Sequence, residues 1–324
     1  MMDVINVVNG QLNDANGLIT NKMESRRNSA LPHEVWRQID KTALEVFSAS
    51  LVAAQDLISA GLTLNINNVG VSVSGYEKIN DFEDAIVSMD PAVRGDNQKL
   101  TYAMESFPIP FFNQKFELGT RQLAASRSNG YEGLDLTQAR TSNRKVAEKI
   151  EKMIFSGLPE LGTAGASSQI YGYTTHPNRI TMTPTGTNWA TSAGRDIIGD
   201  VLNMENQLVQ INRRGPFFLY VAKNLWNVLQ SDYKTESDKT FLNRILDIEG
   251  ISAVKMGYYL PDNNAVLVQM DPDTLDLAIA QDVLNVQNIQ TDKDCYPFVS
   301  SACLALRIKS DANNTTGIVH LAPN

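Results

Sequence analysis

The segment Thr137–Phe155, TQARTSNRKVAEKIEKMIF, carries the deciding pattern. Val146, Ile150, Met153 and Ile154 recur three and four residues apart, so a helix here gathers them on one apolar face. Thr137 is of a type that caps helix N-termini, Gly157 stands where a helix commonly ends, and Pro159 blocks further turns. The other face holds Arg140, Arg144, Lys145, Lys149 and Lys152, with Glu148 four residues before Lys152. Two readings of this basic face stay open. It is either a solvated face partly neutralised by Glu148 and Glu151, or a contact for an acidic neighbouring subunit or for phosphates.

Upstream, Pro32 fits a first helical turn, and Trp36, Ile39, Ala43 and Phe47 predict an amphipathic helix to about Ala60, stopped by Gly61. Residues 62–73 alternate as a strand in two halves parted by Gly70. Residues 74–100 are dense in turn signals and predict a long hairpin reaching away from any core. A connection of that length is uncommon unless it contacts a partner. Residues 1–31 are polar, mixed in sign and without a period, which predicts an arm that is mobile or ordered by a partner.

Downstream, residues 157–190 read as loop and short strand. Ile197, Val201, Met204, Leu208 and Ile211 predict a helix over Ser192–Asn212 with one packed stripe. PFFLYV at 216–221 is a buried-type strand, followed by short helices over Ala222–Tyr233 and Asp238–Ile248. The second of these should turn Phe241, Leu242, Ile245 and Leu246 inward. Strands follow at Ala253–Leu260, Ala265–Met270, Leu275–Ala280 and about Tyr296–Lys309. The class is α+β with one long extended arm, and no βαβ repeat is regular enough for a dinucleotide fold.

The chain has 324 residues, 43% of them hydrophobic, enough for one large domain or two ordinary ones. Its net charge of −8 argues against non-specific nucleic-acid binding through the bulk surface. No apolar run approaches the roughly 18–20 residues of a membrane span. The first residues lack a basic segment followed by an apolar one, so no secretory signal is expected. Cys295 and Cys303 fit buried free thiols of a cytosolic protein. Cys303, within CLAL, reads as an inert thiol, and Trp36, Trp189 and Trp226 as core anchors. His33, His176 and His320 are spread too widely for a metal centre. Asp271, Asp273, Asp276 and Asp282 are expected to be solvated turn residues. The glycine-rich stretch Gly157–Gly172 lacks the GxxxxGK(S/T) phosphate loop, and no GxSxG occurs. No catalytic residue, metal ligand or cofactor is predicted, so an interaction protein is the leading class.

The order of pieces then matters: polar arm, Trp-bearing helix, long hairpin, long amphipathic helix, α/β lobe and closing strands. It resembles the HK97-type capsid fold of tailed-phage major capsid proteins and encapsulins. Glu34–Phe47 (EVWRQIDKTALEVF) looks like the encapsulin N-terminal helix, and Lys145–Gly157 (KVAEKIEKMIFSG) like the family's spine helix. Gly215–Trp226 (GPFFLYVAKNLW) is similar to the A-domain strand and helix, and Asp276–Asp282 (DLAIAQD) with Ala302–Ile308 to the final strands. Ser88–Arg94, Pro108–Leu118 and Gln122–Gly130 look more like phage sequences than encapsulins, which favours the phage branch.

The resemblance implies an N-arm over 1–61, an E-loop over 62–115, a P-domain over 116–190 with 283–324, and an A-domain over 191–282. It also implies self-assembly into pentamers and hexamers of an icosahedral shell around phage double-stranded DNA. Portal, scaffolding and possibly decoration proteins would be partners, and the place would be the virion capsid, assembled in the host cytoplasm. The alternative it allows is an encapsulin shell around a cargo enzyme. In a shell the E-loop would cross the neighbour's spine helix. Arg140, Arg144, Lys145 and Lys149 would then have acidic targets in Glu77, Asp81, Glu83 or Asp84.

Overall fold

The computed structural model describes residues 39, 41–43, 46, 51–66, 68–79, 89, 99, 102–122, 125, 136–161, 170–186, 189–190, 194–232, 239–287, 295–311 and 313–323. The expected arm, Trp36, Asp81, Glu83, Asp84 and most of the hairpin's connection lie outside them. In chain order the elements are α1 (Ala53–Ser59), β1 (Thr63–Asn65), β2 (Val73–Ile79), β3 (Tyr102–Pro108), β4 (Phe111–Gly119) and α2 (Thr137–Ser156). Then come β5 (Ile180–Met182), α3 (Gly194–Gln210), β6 (Phe217–Ala222), α4 (Lys223–Gln230), α5 (Phe241–Leu246) and β7 (Ile251–Gly257). The chain closes with β8 (Ala265–Gln269), β9 (Leu275–Gln287), β10 (Cys295–Ile308) and β11 (Ile318–Leu321). They form two compact units.

The first unit holds the described residues up to Ser72, with Ile109–Phe155 and Asp276–Leu306. Its four-stranded sheet has the order β1-β9-β10-β4. Phe298 and Phe116 are register partners on β10 and β4, and their rings stack with centroids 5.2 Å apart. Ile39, Leu118 and Ala139 complete that cluster, so α2 contributes to it through Ala139. Leu136 packs against the same cluster and its carbonyl accepts the Arg140 N–H. The expected cap, Thr137, is therefore already helical, because the helix starts from an apolar anchor at Leu136.

The helix expected to continue unbroken to Ala60 is interrupted. Residues 39, 41–43 and 46 are helical, Leu51 and Val52 are not, and α1 starts afresh at Ala53. The cause is a competing acceptor: the Val52, Ala53 and Ala54 N–H groups donate to the Glu151 carboxylate. Asp276 also departs from expectation. It is buried within β9, while Asp271 forms a local turn by accepting the Asp273 N–H at 2.8 Å.

The second unit holds Val73–Pro108, Ser156–Leu275 and the described residues from Arg307 onward. Its five-stranded sheet has the order β5-β11-β8-β6-β7, with β6 parallel to β7 and antiparallel to β8. β6 and β8 lie inside the sheet, which is why FFLYVA and AVLVQ are near-continuous apolar runs. Ile197, Val201, Met204 and Leu208 of α3 share one core with Phe217, Leu219 and Val221 of β6. Trp189 joins that core as expected, and its indole N–H donates to Asp200 at 2.8 Å. Leu246 corrects the expectation of an inward side chain: it is 42% exposed. A helix as short as α5 turns only Phe241 and Ile245 fully inward. Among the described residues β2 and β3 pair only with each other, as an antiparallel ribbon.

Candidate assembly surfaces

The ribbon's register runs from Val73 opposite Pro108 to Ile79 opposite Tyr102. Strand alternation divides its side chains between two faces. One face carries Tyr76, Lys78, Glu105 and Phe107. The Tyr76 hydroxyl donates to Glu105 at 2.7 Å, and Lys78 forms an ion pair with the same carboxylate. Lys78 also donates to Asn314 at 3.3 Å, the Ser310 N–H donates to the Tyr76 oxygen, and the Arg307 guanidinium lies 5.9 Å from the Phe107 ring centre. Burial first, then the Glu105 contact, pushes the Tyr76 phenol up to about 12. For Glu105 burial pulls upward, but the bonds from Lys78 and Tyr76 prevail and hold it below its ordinary value. This face pins the ribbon to residues 307–314.

The other face has no such partner among the described residues. It carries Val73, Glu77, Tyr102 and Met104, with Met104 directly opposite Glu77. Val73 is 55% exposed, Tyr102 61% and Met104 74%. A two-stranded ribbon is marginal in water without a packed face, and this one turns an aromatic and two aliphatic side chains outward. Glu77, the one predicted acidic residue within the described residues, is exposed on it. Sequence reasoning placed the hairpin but missed Tyr102 and Met104, whose alternation along β3 was the available signal.

The predicted basic residues lie on α2 as the spacing implied. Arg140, Arg144, Lys145 and Lys152 are exposed and Lys149 is half-buried. Glu148 receives both Lys145 at 2.7 Å and Arg144 at 3.5 Å, so part of the charge is answered within the helix. Glu151 is not on that face. It is 1% exposed, and burial, opposed by its three N–H bonds, pushes its carboxyl up to about 7. Ser142 and Asn143 are buried too, and Ser142 Oγ lies 3.1 Å from the Gln114 carbonyl and 3.0 Å from Ser300 Oγ. α2 is thus bound to β4, β10 and the start of α1 through polar groups, with its cations outward. Among the described residues, no group of His, Cys, Asp and Glu side chains could hold a metal ion, and no helix is long and apolar enough to cross a membrane.

The family model of DUF6260, described as a family of unknown function, matches residues 25–321. The chain belongs to that family. Three solved structures place this DUF6260 member among known folds. A virus-like particle from Pyrococcus furiosus is similar at TM-score 0.61 and 18% identity, over 89% of this chain and 100% of that one. The capsid of Myoviridae phage XM1 is similar at TM-score 0.60 and 13% identity, over 85% and 95%. The capsid of an empty GTA particle is similar at TM-score 0.56 and 12% identity, over 84% and 91%. The DUF6260 chain therefore has the HK97-like capsid fold, as its sequence resemblance implied. Gly215–Trp226 contains β6 and the first half of α4, and Lys145–Gly157 the second half of α2 with its closing glycine.

Proposed function

We propose that this chain is a major capsid protein, a structural subunit that self-assembles into pentamers and hexamers of an icosahedral shell around phage double-stranded DNA. The observation that carries the reading is a capsid fold spanning most of the chain, combined with a ribbon whose outward face, with its exposed Val73, Tyr102 and Met104, has no partner among the described residues. That face is suited to burial on a neighbouring copy, as the E-loop of such a shell.

In this reading residues 1–61 are the N-arm, 62–115 the E-loop, 116–190 with 283–324 the P-domain, and 191–282 the A-domain. The E-loop crosses the neighbour's α2, where Arg140, Arg144, Lys145 and Lys149 meet Glu77, Asp81, Glu83 or Asp84. Ion pairs of this kind set register and specificity more than affinity. Portal, scaffolding and decoration proteins are the expected partners, the virion capsid the place and the host cytoplasm the site of assembly. The role is mechanical and needs no cofactor.

The test is negative-stain electron microscopy with size-exclusion chromatography on the full chain expressed alone. Closed shells of genome-holding size, or free pentamers and hexamers, are expected. Small uniform shells carrying a co-purified enzyme would instead support a cargo compartment, and a monomer that never assembles, even with scaffold added, would overturn both.

A further inference from the structure

A groove of about 570 Å³ opens in the second unit where β6 and β7 begin. Glu205 and Val209 of α3 line it, together with Gly215–Phe217 and with Glu249, Gly250 and Ser252. Its two carboxylates oppose each other: burial and then the charge of Glu249 raise the Glu205 carboxyl above its ordinary range. Arg214 lines the same groove without offsetting that rise. Leu202 and Val209, 46% and 51% exposed, stand seven residues apart on the same side of α3 as Glu205, and add an apolar step.

The far ends of the same two parallel strands carry the opposite character. β6 ends at Ala222 and leads into Lys223, the first residue of α4. β7 ends at Gly257 and leads into Tyr258, which is 54% exposed. At about 3.3 Å per residue, six strand residues put roughly 20 Å between the ends. Lys223 is exposed at a helix N-terminus, where unpaired N–H groups disfavour a cation. Asn224 fixes this end by donating to Asn263 at 2.8 Å. The two ends therefore differ in charge: two carboxylates and one arginine line the groove, while an exposed lysine stands at the far end.

We infer that the groove receives the Lys223–Tyr258 end of a second copy of this chain, with Lys223 between Glu205 and Glu249 and the Tyr258 ring against Val209. Two different patches at opposite ends of a strand pair make a head-to-tail contact, the kind that closes rings. The inference rests on the shell reading and adds the residues through which copies join.

The test reverses charge on exposed positions of the full chain: Lys223→Glu, Glu249→Lys, and the two combined, with Tyr258→Ser as an uncharged probe. Sedimentation velocity and electron microscopy read assembly, and circular dichroism reads folding. Each single reversal is expected to lower the assembled fraction about tenfold or more, and the combined reversal to recover most of it. Tyr258→Ser is expected to lower assembly while the spectrum stays unchanged. Native-level shells from Lys223→Glu, or no recovery in the combined variant, would overturn this contact and leave the shell reading standing. A native chain that forms neither rings nor shells would overturn both.

Discussion

α2 and α3 are both long helices with one buried side, yet they are held by different means. α3 buries Ile197, Val201, Met204 and Leu208 in one apolar core and adds a single carboxylate, Asp200. That carboxylate accepts the Thr185 N–H at 3.1 Å, the Thr185 hydroxyl at 2.6 Å and the Trp189 indole at 2.8 Å, so it ties down the segment just before its own helix. α2 mixes Ser142, Asn143 and Glu151 into its buried side, and Glu151 accepts three backbone N–H groups from a segment nearly a hundred residues earlier. One helix is a core element with a local clasp. The other is a crossbar, joined to distant segments by polar bonds whose strength depends on protonation.

The largest effect should come from cutting the α3 clasp. Asp200→Ala leaves the buried Trp189 indole N–H without its acceptor and removes the charge-assisted bonds that hold the exposed Thr185, and is expected to cost about 3–4 kcal/mol in urea unfolding of the unassembled chain. A loss below about 1 kcal/mol would mean that water replaces the carboxylate, and the contrast with α2 would vanish.

Next comes the pH dependence of the crossbar. The Glu151 carboxyl, at about 7 when folded against 4.5 ordinarily, retains its proton between those values while the unfolded chain has released it. Its contribution is therefore fully present below about 4.5 and is lost as pH rises through about 7, a change on the order of 3 kcal/mol. His176 and His320 slope the other way. Burial pushes both down to about 4, so their contribution is present above 6.5 and is lost as pH falls towards 4. The difference between the native chain and Glu151→Gln isolates the carboxyl. Measured by urea unfolding, it should shift in favour of the variant by about 3 kcal/mol from pH 5 to pH 8. A pH-independent difference would show that the N–H bonds outweigh burial and keep Glu151 ionised.

These two helices also mark how far the sequence was legible. The α3 stripe and the β6 run could be read because apolar periodicity records burial directly. The same rule placed α2 but misassigned Glu151, since a glutamate in a basic helix looks like a solvated counter-charge. What buries it is the broken helix at Val52, 99 residues away, and no local pattern encodes that meeting. Asp276 failed for the same reason: next to Asp271 and Asp273 it resembled turn sequence, yet it belongs to a buried stretch of β9. The ribbon was visible as turns flanked by strands, while its outward face needed the register that sets Met104 opposite Glu77.

The smallest effects on the isolated chain should fall on the outward sides of α2 and the ribbon. Arg144→Glu should change unfolding by no more than about 0.5 kcal/mol, and Lys149→Glu, at a half-buried position, by about 1 kcal/mol. Arg144 is exposed, and its ion pair with Glu148 at 3.5 Å is one of two that Glu148 makes. Met104→Ser should be similarly silent, because a side chain 74% exposed loses little burial when shortened. Their cost should appear in assembly, where each would remove a contact that the proposed shell makes with a neighbouring copy. If all three variants form native shells, the basic face of α2 is only a solvated surface. If Met104→Ser fails while the charge variants assemble, apolar burial holds the ribbon and the cations serve only to set its register.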